Sequence, residues 1–159
     1  MRYITFISLL IFALGCTGTK HAAMKPGKLN GSWMPIQQEI SGKLLPKTAF
    51  ENQQLIMNDS NYTVIAESVD KGIVRFKGDK LDIYGKEGVN AGRHFTAIYK
   101  LEKGQLTICY NLLGDSYPDA FETKSKPLLL LSVFNKEKKT QISFKASSPL
   151  RGGADRQRG

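Results

Sequence analysis

Every apolar stretch between Leu29 and Ala146 is short, and each is closed by residues that turn a chain. Gln54-Leu55-Ile56-Met57 ends in Asn58-Asp59-Ser60-Asn61, and Tyr62-Thr63-Val64-Ile65 is followed by Asp70-Lys71-Gly72. Residues 73–77 meet residues 80–84 across Gly78-Asp79, a strong hairpin signal. Phe95, Ala97, Tyr99 and Leu101 fall on one face of a strand at 93–101, which Glu102-Lys103-Gly104 turns into residues 105–111. Ahead of these, residues 33–40 alternate, with Met34, Ile36 and Ile40 on one side and Trp33, Gln37 and Glu39 on the other. Gly42 and Pro46 break that strand, and residues 48–53 suit one short helical turn. The strongly apolar segment 128–134 reads as a strand buried on both faces, and residues 140–144 as the last strand. The sum is eight or nine short antiparallel strands with no long helix. That count fits an up-and-down barrel or a sandwich. A barrel removes the exposed edges, and about eight strands leave room for packed side chains or one small ligand.

Outside this window the chain changes character. Met1-Arg2 precedes an apolar run from Tyr3 to Leu14, about 12 residues where a helical span needs about 20. This layout is that of a secretory leader, residues 1–15. Phe12-Ala13-Leu14-Gly15 before Cys16 resembles a bacterial lipobox, which implies an acylated Cys16, with palmitate or a similar chain, at the start of the mature protein. Thr17 stands where an aspartate would favour inner-membrane retention. The expected location is therefore the cell envelope, lipid-anchored, at the outer membrane. Residues 16–28 read as lipidated cysteine and tether, residues 29–146 as the fold, and residues 147–159 as a disordered basic tail.

An apolar content of 41 % supports one core, and one domain is all the length allows. With Cys16 lipidated, Cys109 would be the only free thiol and no intrachain disulfide could form. The net charge of +9 is scattered over turn lysines such as Lys43, Lys71, Lys80 and Lys103. That pattern points away from nucleic acid and toward anionic headgroups or an acidic wall polymer. The densest run, Lys136-Glu137-Lys138-Lys139, reads as a hairpin tip.

Gly31-Ser32-Trp33, opening the first strand of a domain of this size, resembles the lipocalin superfamily, in which the tryptophan closes one end of the barrel. Residues 39–46, 97–101, 106–110 and Tyr117-Pro118-Asp119-Ala120-Phe121-Glu122 sharpen the likeness. Together they are similar to the small lipocalin-like domain abundant in planctomycetes and other environmental bacteria. The chain departs from that pattern at Tyr117, where arginine is usual, and at Ala97, where glycine is commoner. The resemblance implies an all-β, antiparallel, eight- to nine-stranded lipocalin-like barrel and little chemistry.

By size and strand phase, Trp33, Phe76, Phe95, Tyr99 and Tyr110 are the candidate ligand-lining residues, with Trp33 read first as a core plug at one end of the barrel. Cys109 lies out of phase with Ile108 and Tyr110, and reads as buried and inert. His94 sits on another strand, and no acid completes a triad with the two. Asp79 and Asp82 flank a turn, where both would be solvated. Gly85 to Gly92 lacks the ending of a phosphate loop and suits a flexible loop at a barrel mouth. His21 and His94 do not make a metal set, and no cofactor or catalytic constellation is expected. The expected function is binding of a small apolar molecule. The alternative is a filled barrel acting as an interaction or inhibitor module, whose loops at 85–92 and 112–127 contact an envelope protein or wall polymer.

Overall fold

The computed structural model describes residues 26–124, 126 and 128–137. The leader, Cys16, most of the tether, the strand expected at 140–144 and the tail after 146 lie outside them. Nine strands follow in chain order: β1 (Gly31–Ile40), β2 (Lys43–Leu44), β3 (Gln54–Asn58), β4 (Asn61–Ile65), β5 (Val69–Lys77), β6 (Lys80–Glu87), β7 (His94–Glu102), β8 (Gln105–Asn111) and β9 (Leu129–Lys136). Two short 3-10 turns, Pro26–Leu29 and Lys47–Ala49, complete the set.

Sequential neighbours pair antiparallel from β3 to β9, and β1 pairs with both β3 and β9. The sheet therefore closes on itself as an eight-stranded, antiparallel up-and-down barrel. The two-residue β2 is an extra strand hydrogen-bonded to the end of β1. Closure leaves no long strand edge unpaired.

Alternation sets what each strand sends inward. Leu55 and Met57, Val74, Leu81 and Ile83, Phe95, Ala97 and Tyr99, Leu106 and Ile108, and Phe134 form one inner cluster. On β1 the simple alternation does not hold along the whole strand. A bulge between Pro35 and Gln37 shifts the register against β9, so Trp33, Pro35 and Gln38 are buried while Ile36 is 46 % exposed. Proline cannot donate to a ladder, and a bulge is where a strand tolerates it.

Two other expectations are corrected at β9. Lys136 is not in a hairpin tip but ends the strand, paired with Trp33. Leu128 stands before the strand at φ 62 and is 43 % exposed. Leu129 and Leu130 do face opposite sides, the first buried and the second half-buried.

The two ends of the barrel differ. One carries the tight turns at Asp59-Ser60, Gly78-Asp79 and Lys103-Gly104, together with the Pro26–Leu29 turn. There Trp33, 1 % exposed, donates its indole N–H to the Leu29 carbonyl at 2.7 Å. Asn30 and Asp59 exchange two hydrogen bonds, of 2.9 and 2.7 Å, across the same end. This end is closed. The other collects the longer connections β1–β3, β6–β7 and β8–β9.

The β8–β9 connection does not stay at that end. It runs down the outside of the barrel, where Tyr117 and Phe121 pack with Leu131 against outward-facing Ile98, Cys109 and Leu129. A second core thus lies outside the β-wall. Thr96 donates to the Ser116 carbonyl, and Asn111 donates to the same carbonyl and to Asp115. Thr123 donates to Glu39 and accepts from the Gly42 backbone at 2.8 Å.

Candidate functional site

Above the closed end the inward side chains do not meet. They surround a cavity of about 300 Å³, at the lower end of the range of small-molecule sites, roughly 300–1,000 Å³. Leu55, Val74, Leu81, Leu106, Ile108 and Phe134 are among the apolar side chains of its wall. A body of hydrocarbon or aromatic carbon placed there would lose its hydration shell against a mainly apolar wall.

Small residues give the inner wall its shape. Gly72 faces Tyr62 across β4 and β5. A Cβ at Gly72 would stand 2.6 Å from Tyr62 Cε1 and collide with the Tyr84 carbonyl, so glycine alone lets the Tyr62 ring lie against the sheet. Burial, then the nearby Asp70 charge, raises the pKa of the Tyr62 phenol. Burial also raises that of Tyr110, with Tyr62 adding to it. Both stay protonated and can donate.

The polar groups at the cavity are few. Asp70 is 7 % exposed and accepts the Asn90 backbone N–H at 2.8 Å, which fastens the β6–β7 loop to β5. Gly88, at φ +85, lets that loop pass close to the Val69 carbonyl and the Asp70 side chain. Arg93 lies at the rim, its guanidinium 4.8 Å from the Phe95 ring centroid and 3.2 Å from Asn90 Oδ1. Gln38 donates to Gln53 at 2.9 Å. The loop at 85–92 is therefore a tied rim of the mouth; Gly85 to Glu87 already belong to β6.

The five candidates from strand phase separate into two groups. Phe95 and Tyr110 line the cavity. Trp33, Phe76 and Tyr99 belong to the inner core but are not among its lining residues. Phe76 meets Tyr99 edge-on at 5.9 Å, and the Tyr99 hydroxyl donates to the Gly78 carbonyl at 3.1 Å, at the closed end. Lys136 holds its ammonium 5.3 Å from the Trp33 ring centroid. Tyr62, Gln38 and Ser132 line the cavity and were not foreseen. Gln38 was hidden by the change of phase at the β1 bulge, and Tyr62 by the brevity of β4.

Cys109 is fully buried on the outer face of β8. Burial pushes its thiol up to about 11, so the thiolate needed for nucleophilic attack is scarce. It pairs across strands with Ile98, while His94 turns to β6, stacked on Tyr84 at 4.6 Å with Nε2 3.2 Å from Asp82 Oδ1. Asp82 is not solvated as its place near a turn suggested. It is 5 % exposed and takes Lys77 at 2.7 Å and the Tyr117 hydroxyl at 2.9 Å. Burial opposes its charge, and the hydrogen bonds from Lys77, Tyr117 and His94 outweigh this and hold its pKa below the ordinary value. This network pins the β8–β9 connection to the barrel wall.

No family model matches the sequence, and no curated protein matches it. Among solved structures, the crystal structure of a mutant of the fluorescent protein UnaG is similar, with 13 % identity, a TM-score of 0.38, and coverage of 71 % of this chain and 99 % of that one.

Proposed function

We propose that the protein binds one small, mainly apolar molecule inside the barrel and acts by binding rather than by catalysis. The cavity carries this reading: about 300 Å³, walled by aliphatic and aromatic side chains, with a polar rim at one end and a sealed floor at the other. A barrel built only to display loops would gain stability by filling that volume, since unfilled space forfeits packing. The same proposal sets the protein in the cell envelope, held by lipid on Cys16, as one of the small lipocalin-like domains that its Gly31-x-Trp33 opening resembles.

Native mass spectrometry of the full-length protein in detergent tests the binding. The expected result is an added mass that denaturation releases, absent in an Ile108→Trp variant whose ring fills the cavity. A folded wild-type protein that takes up no fatty alcohol, quinone or fatty acid would refute it. Fractionation of a Cys16→Ser variant tests the anchor, and the protein should leave the membrane fraction.

A further inference from the structure

Ser132 faces the cavity from the middle of β9, between Leu130 and Phe134. It is 1 % exposed, and its hydroxyl has no hydrogen-bond partner among the described residues. Buried hydroxyls are nearly always paired, because an unpaired one forfeits its water without compensation. Alanine would fit the same wall free of that cost.

Its surroundings show what kind of group would pair it. Across strands Ser132 sits opposite Gln38 of β1 and Ile108 of β8, and Tyr110 is the next inward residue toward the mouth. Gln38 is also buried and lines the cavity. One wall thus carries a hydroxyl, an amide and a phenol side by side in aliphatic surroundings. Cross-strand neighbours lie about 5 Å apart and diagonal ones about 7–8 Å, so one oxygen atom could be served by this group.

The charges decide what that oxygen can be. Among the described lining residues the cations reduce to Arg93, which is exposed at the rim and engaged with Phe95 and Asn90. The buried charge is the Asp70 carboxylate. An anionic ligand group drawn inside would meet a like charge and no counter-charge, the costliest arrangement in a low-dielectric interior. A neutral carbonyl or hydroxyl would meet donors.

We infer that the ligand is uncharged, an apolar body bearing a carbonyl or hydroxyl oxygen that hydrogen-bonds to the Ser132 hydroxyl in the cavity wall. The inference rests on the proposed binding function and narrows its ligand class.

The test is displacement of a fluorescent apolar dye from the full-length protein by four probes of one ten-carbon chain: a methyl ketone, a primary alcohol, a carboxylate and an alkane. The ketone and alcohol should bind about five- to tenfold tighter than the alkane, the worth of one net hydrogen bond, and tighter still than the carboxylate. Ser132→Ala should bring the ketone to the level of the alkane while leaving the melting temperature unchanged or raised, since it deletes an unpaired group. A carboxylate that binds tightest, a ketone no better than the alkane, or a preference that survives Ser132→Ala would each overturn the inference and leave cavity binding intact. Displacement by none of the four would overturn the binding function with it.

Discussion

Replacing Trp33 by phenylalanine separates a ligand contact from the plug of the closed end. The indole N–H is the donor to the Leu29 carbonyl at 2.7 Å, and both residues are 1 % exposed. Phenylalanine leaves that buried carbonyl unpaired, at about 1–3 kcal/mol. The smaller ring leaves on the order of 40 Å³ unfilled, which at ~24 cal/mol per Å³ costs about 1 kcal/mol. Weaker attraction for the Lys136 ammonium above the ring adds up to about 0.5 kcal/mol at an exposed site. The total is about 2–5 kcal/mol, a large part of the roughly 5–15 kcal/mol that holds a domain together. At about 4 °C per kcal/mol the melting temperature should fall by roughly 10 °C or more. The assay is urea and thermal unfolding followed by far-UV circular dichroism, because Trp33 is the single tryptophan and the variant loses the fluorescent probe. Below the transition, dye affinity should be unchanged, since Trp33 does not line the cavity. A stability loss under about 1 kcal/mol, or weakened binding by a fully folded variant, would refute the reasoning.

The outer network makes the fold sensitive to acid. Because the Asp82 pKa is lowered on folding, its contribution is fully present above the unfolded value near 4 and is lost as pH falls through the folded value. Asp82→Asn should therefore lower the urea midpoint at pH 6, by about 1–3 kcal/mol in stability, yet flatten the decline toward pH 3; parallel curves for the two proteins would contradict the assignment. On the same wall, a Cys16→Ser background leaves Cys109 as the single thiol. With its pKa near 11 and no exposure, it should resist an aromatic disulfide reagent at pH 8 and release one equivalent only in urea. Stoichiometric reaction of the native protein would show that the β8–β9 connection opens readily.

How far the sequence carried the fold can be read at particular positions. The hairpins at 73–84 and 93–111 were legible because their turns are punctuated by glycine and their alternation is clean. Phe95, Ala97 and Tyr99 do point inward. β1 was not legible in phase, because a bulge changes which residues face inward without altering composition. Of the site, Phe95 and Tyr110 followed from strand phase, whereas Trp33, Phe76 and Tyr99 share that inward phase and differ only in height along the barrel axis. Height is set by strand stagger, which periodicity does not encode. The outer core escaped for another reason. Tyr117 and Phe121 lie in a segment without alternation, and only the outward side chains Ile98, Cys109 and Leu129, apolar on the face away from the barrel interior, hint that something covers them.

Barrel closure joins residues 33–40 to residues 130–136, nearly the whole length of the fold apart. Such a contact comes late in folding, because the entropy of drawing distant segments together must be met before the ladder rewards it. Until then the incipient meander exposes two raw edges, β1 and the last strand formed, each a template for a second copy of the chain. Pro35 stands in the middle of the first of these edges and cannot donate a hydrogen bond to a stranger's strand. The bulge that accommodates it in the closed barrel thus also guards the chain during the interval before there is a barrel at all.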